Sequence, residues 1–69
     1  MKISARNVLS GKVVEIVPGT VTSHVRLDVG GTIVTAAITN EAVADLALGV
    51  GDEAYAIVKA SDVMIGKEV

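Results

Sequence analysis

Ser4-Ala5-Arg6-Asn7 places a hydroxyl, a guanidinium and a carboxamide side by side in a chain otherwise dominated by Val, Ala, Ile and Leu. Near the other end, Lys59-Ala60-Ser61 again sets a cation beside a small residue and a hydroxyl. The chain has only six Lys plus Arg, so this repeated setting calls for a chemical reason. It suits a small tetrahedral oxyanion. Arg offers a rigid fork of N–H donors, and Lys a compact charge with rotatable donors. Ser4 and Ser61 add hydroxyls, and hydrogen bonds to a charged group are the stronger ones. Ala5 and Ala60 let the backbone approach closely. Thr39, just ahead of a short predicted helix, supplies a further hydroxyl with helix amides behind it. The plainer alternative is that Arg6 and Lys59 pair with Glu41, Asp45 or Asp62 at an interface. Spacing alone leaves both open.

Other chemistries find little support. The chain has one His and no Cys, and no Gly-x-Ser-x-Gly. His24 sits mid-strand on a polar face, with no partner in the sequence to orient it as a catalytic base. No catalytic residue is expected, and the chain does not read as an enzyme. One His and scattered carboxylates give no metal-ligand spacing, and Asp52-Glu53 reads as a solvated turn. Net charge is −2 and Tyr55 is the only aromatic residue. A nucleic-acid module would show a basic groove and stacking aromatics, so nucleic acid is not an expected partner.

Positioning such residues requires elements, and Gly and Pro punctuate five apolar stretches. Ile3 to Val17 has strong β character, with Gly11 marking a bulge or bend. Pro18-Gly19 makes a turn. From Thr20 to Val29 the period is two, with Val21, Ser23, Val25, Leu27 and Val29 on one face and Thr22, His24, Arg26 and Asp28 on the other. Gly30-Gly31 signals a hairpin. Thr32 to Thr39 follows, apolar or small on both faces and so expected to be covered on both. Asn40 to Leu48 reads as a helix, capped by Thr39 or Asn40 and ended by Gly49. Glu53 to Ala60 is a fourth strand and Asp62 to Ile65 a fifth. Three strands, a short helix and two strands predict an all-β fold with one short helix. Closing it as a five-stranded OB-type barrel removes most exposed edges.

The chain is 51% hydrophobic over 69 residues. That length predicts one domain, residues 1–69, of a size that is marginal alone. The apolar surplus predicts an obligate oligomer. No apolar run reaches the roughly 20 residues of a membrane helix, and the start lacks a signal-peptide core. No membrane partner is expected, and the default location is cytoplasmic.

The whole chain resembles the molbindins, the small Mop proteins. The resemblance rests on Ser4-Ala5-Arg6-Asn7, on Gly11-Lys12-Val13 leading to Val17-Pro18-Gly19-Thr20-Val21, and on Ala36-Ala37-Ile38-Thr39. Val43-Ala44-Asp45-Leu46, Leu48, Gly49-Val50-Gly51-Asp52 and Val58-Lys59-Ala60-Ser61 complete it. It implies an OB-type barrel assembled as a hexamer, a trimer of dimers. It implies binding of molybdate or tungstate at subunit interfaces for molybdenum storage and homeostasis, with no other cofactor. Ser4, Ala5 and Arg6 of one subunit would then meet Lys59, Ala60 and Ser61 around one anion, with Thr39 nearby. Some family members carry a serine where this chain has Ala42, which removes one hydroxyl. A second class of oxyanion site near the threefold axis is also implied. Its candidates here are Thr20, Thr22, Ser23 and His24, polar residues of a strand that could face neighbours. Related regulator domains suggest the rival reading, an oligomerisation module without a ligand of its own.

Overall fold

The computed structural model describes residues 1–68. It contains β1 (Asn7–Pro18), β2 (Thr22–Val29), β3 (Thr32–Thr39), α1 (Asn40–Asp45) and β4 (Glu53–Val58), then a 3-10 turn at Ala60–Asp62. The strands form one antiparallel sheet in the order β3-β2-β1-β4. Its curl comes from β1, which pairs with β4 along Asn7–Lys12 and with β2 along Lys12–Pro18. One long strand thus serves two partners and turns between them.

The register shifts between Val13 and Glu15, which leaves Val14 as the extra residue of a bulge. The bend expected at Gly11 is therefore displaced. Gly11 has a different reason to lack a side chain: a Cβ there would lie 2.7 Å from the Asp28 carbonyl oxygen and from Val29 Cγ1. At Gly30-Gly31 both residues have positive φ, 68° and 98°, as a two-residue I′ hairpin requires.

Alternation along β2 is as its period predicts. Ser23, Val25 and Leu27 are buried, while Thr22 and His24 are exposed. Val13, Val25 and Leu27 form the buried apolar core, with Ile16, Ile38, Val43, Leu48, Ala54 and Ala56 packed around them. On β3, Val34, Ala36 and Ile38 turn inward, but Ile33, Thr35 and Ala37 are exposed rather than covered.

The helix is shorter than its sequence pattern. It ends at Asp45, with Leu46 as C-cap and Ala47 in the left-handed region at φ 50°. Leu48 N–H donates to the Val43 carbonyl at 3.1 Å and Ala47 N–H to the Ala44 carbonyl at 3.0 Å. These two bonds make a Schellman motif with alanine, not Gly49, at the left-handed position. The early stop lets Leu48 turn back beside Val43 toward the core.

Four strands, not five, are present among the described residues. The expected strand over Asp62 to Ile65 is replaced by the 3-10 turn at Ala60–Asp62 and by chain without regular structure. A strand needs an edge to pair with, and this segment pairs with neither free edge of its own sheet. The single chain is mostly β with one short helix, an open half-barrel.

Candidate functional site

Asn7 and Val58 are the last paired residues of the β1–β4 ladder, and Asn7 Nδ2 donates to the Val58 carbonyl at 3.1 Å. This bond closes the ladder and commits the Asn7 side chain to backbone. Continuing the register by one residue at a time would set Arg6 opposite Lys59, Ala5 opposite Ala60 and Ser4 opposite Ser61. The two clusters, distant in sequence, thus lie beyond the same end of one ladder. Beyond it the chain bends at Ser4 and Arg6 and turns at Ala60–Asp62. Ser4, Arg6, Lys59, Ala60 and Ser61 are exposed, and Ala5 is half-buried.

Among the described residues the only ion pair joins Arg26 to Glu15, opposite one another on β2 and β1. Among the described residues neither Arg6 nor Lys59 has a carboxylate partner, whether Glu41, Asp45 or Asp62. Two cations therefore flank the same ladder end without an ion pair to a described residue.

Thr39 is elsewhere. It pairs with Thr22 at the start of β2, beside the Pro18 end of β1. Arg6 precedes the opposite end of that 12-residue strand, which at roughly 3.3 Å per residue is on the order of 35 Å away along the strand path. Thr39 Oγ1 accepts from Ala42 N–H at 3.0 Å as the helix cap. Its own proton remains available to donate outward.

What holds Thr39 in place is Asn40, whose role its sequence context does not reveal. Asn40 Oδ1 accepts from Ser23 Oγ at 2.5 Å, and Nδ2 donates to the Gly19 carbonyl at 3.0 Å. Its backbone N–H donates to the Val21 carbonyl at 2.8 Å. One residue ties the β1–β2 turn, the inner face of β2 and the helix start together. The only sequence signal was a cap-type residue beside a threonine, and the threonine takes the cap.

The second candidate group does not share a face. Thr20, Thr22 and His24 are exposed, whereas Ser23 is 2% exposed and points inward to Asn40. Among the described residues no group of three or more His, Cys, Asp or Glu is placed to hold a metal ion. No described helix is long and apolar enough to cross a membrane.

Comparison with known proteins extends these observations. The family model described as the TOBE domain matches residues 3–65. The chain is 52% identical over 69 residues to a probable molybdenum-pterin-binding protein of Haemophilus influenzae, covering 99% of this chain and 100% of that one. It superposes on a molybdate-binding protein from Sporomusa ovata with a TM-score of 0.93 and 49% identity, covering 97% and 100% of the two chains. A similar match, TM-score 0.89 at 46% identity, is to the cytoplasmic molybdate-binding protein ModG with molybdate bound. It covers 93% of this chain and 46% of ModG.

Proposed function

The chain belongs to the TOBE domain family and to the molybdenum-pterin-binding proteins, and from that premise we propose that it binds molybdate, and tungstate alike, as a small oxyanion-binding protein. The observation that carries this reading is that Arg6 and Lys59 stand just beyond the same ladder end, neither in an ion pair among the described residues. An anion there relieves the repulsion of the two cations and gains charge-assisted hydrogen bonds. Ser4 and Ser61 supply hydroxyls, and Ala5 and Ala60 leave the backbone accessible.

Thr39 completes the site from a second subunit. Its place at the opposite end of β1 from Arg6 supports the two reaching one anion from different chains. The protein is therefore a homo-oligomer of single-domain subunits (residues 1–69), with the resemblance to molbindins supporting a hexamer. The five-stranded OB-type barrel belongs to that assembly rather than to the isolated chain. Thr20, Thr22 and His24 are the exposed candidates for a second site, with Ser23 holding the strand from inside. The role is intracellular molybdenum storage rather than catalysis. A cytoplasmic location is supported by ModG, which is described as cytoplasmic.

Molybdate and tungstate carry the same charge and nearly the same size, so hydrogen bonds do not separate them. Sulfate is smaller and makes longer contacts in a site of fixed dimensions. Calorimetric titration with the three anions is the test. Comparable binding of molybdate and tungstate with much weaker sulfate is expected. No heat with molybdate, or sulfate binding equally well, overturns the proposal.

A further inference from the structure

A site that tells molybdate from sulfate must resist shrinking. The two anions share charge and shape, and sulfate differs in its shorter bonds to oxygen. Donors that follow a smaller anion inward do not separate them. Arg6 and Lys59 reach outward on long rotatable stems, and both are exposed. Ser4 and Ser61 stand on exposed chain beyond the last ladder pair. Four of the proposed donors are therefore free to adjust.

Thr39 is held differently. Its backbone is paired with Thr22 at the end of β3. Its branched Cβ restricts χ1, and Oγ1 accepts from Ala42 N–H at 3.0 Å. Position and hydroxyl direction are thus fixed together. The next residue, Asn40, clamps this corner at three points. Its N–H donates to the Val21 carbonyl at 2.8 Å, Nδ2 donates to the Gly19 carbonyl at 3.0 Å, and Oδ1 accepts from Ser23 Oγ at 2.5 Å. The Gly19 carbonyl only accepts, so it must face the amide nitrogen, and the Ser23 hydroxyl must then donate to Oδ1. One amide orientation satisfies both. Ser23 is 2% exposed, and a buried hydroxyl is costly to leave unpaired. Ser23 is itself paired with Pro18 on β1 and Ile38 on β3. One side chain therefore braces the corner where three strands and the helix start meet.

We propose that Asn40 is a positioning residue that sets the selectivity of the oxyanion site. By locking Thr39 it fixes the size of the cavity, so that molybdate and tungstate fill it and sulfate does not. Its own side chain is committed to Ser23 and Gly19 and acts on the anion only through Thr39. This inference rests on the oxyanion site of the proposed function and names what gives that site fixed dimensions.

Selectivity is read on assembled protein as the sulfate dissociation constant divided by that of molybdate. Calorimetry gives the second, and displacement of molybdate by sulfate gives the first. Asn40→Ala removes both side-chain bonds and keeps the backbone one. Molybdate then loses a prepositioned donor and sulfate gains one that closes on it, so the ratio is expected to fall about tenfold. A merely structural role gives another result: a smaller competent fraction weakens both anions by the same factor and leaves the ratio alone. Ser23→Ala removes one bond, keeps that to Gly19, and should lower the ratio less. Val13→Ala, which opens the core at the pair with Leu27 rather than at this corner, should lower stability without moving the ratio. An unchanged ratio in Asn40→Ala overturns the proposal, and so does an equal fall in Val13→Ala. Where Asn40→Ala does not fold, an unchanged ratio in Ser23→Ala overturns it instead. Thr39→Ala binding both anions as the unaltered protein does would also overturn this inference while leaving oxyanion binding in place. Only an unaltered protein that binds no molybdate removes both.

Discussion

In the proposed site Arg6 and Lys59 lie just beyond the paired Asn7 and Val58, so its charge follows from strand register and its specificity from which donors surround it. Arg6→Ala removes charge-assisted donors, each worth about 1.5–3 kcal/mol, and calorimetry should show molybdate affinity falling roughly ten- to hundredfold or more. Arg6→Lys keeps the charge but loses the planar fork, and an intermediate affinity is expected. Full affinity in Arg6→Ala removes that residue from the site. A ligand-free oligomerisation module would instead lose its assembly in this variant, whereas retention of the oligomer is expected here. Asn40 makes a separate prediction. Asn40→Ala strands the buried Ser23 hydroxyl and frees the Gly19 carbonyl, which should cost about 1–3 kcal/mol in urea unfolding at fixed protomer concentration. Adding Ser23→Ala should then cost less than it does alone, because its partner has already gone. The residue types proposed for the anion site stand in the sequence itself, in Ser4-Ala5-Arg6 and Lys59-Ala60-Ser61. The role of Asn40 does not, since its partners lie on other elements.

Among the elements, β2 was the most legible, because Ser23, Val25 and Leu27 alternate with polar residues and each is buried. The end of α1 was not. Gly49 is the obvious stop signal, but it serves the following turn, accepting from Asp52 N–H at 3.1 Å and donating to Asp52 Oδ2 at 2.8 Å. The left-handed residue is Ala47, and nothing in an alanine advertises that conformation. Its Cβ is strained there where glycine has none. Ala47→Gly is expected to stabilise the protein by about 0.5–1 kcal/mol despite glycine's greater unfolded-state entropy, read as a raised urea midpoint. Ala47→Val should shift it the other way. The expected fifth strand illustrates a different limit. Val63-Met64-Ile65 is apolar and unpunctuated, yet it pairs with no strand of its own sheet. The pattern carries a strand's character but not the edge a strand needs.

For the whole molecule, three buried apolar residues among those described are a slender core against the entropy of ordering the chain. Folding and assembly should therefore be one event. On dilution the far-ultraviolet circular dichroism and the sedimenting mass should fall together; a folded monomer at micromolar concentration would contradict this. The same apolar surplus was visible in composition, and the oligomer proposed above rests on it. That Thr39 and Arg6 stand at opposite ends of β1 was not, because strand order is a property of pairing rather than of any segment. In the proposed site this separation makes assembly a condition for the full donor set, so binding and assembly are expected to promote each other. The most direct test is sedimentation of the protein in enough urea to half-dissociate it, with and without molybdate. Molybdate should restore the oligomer and lower the dissociation concentration at least tenfold. Saturating molybdate that leaves the mass distribution unchanged would contradict an anion held between subunits.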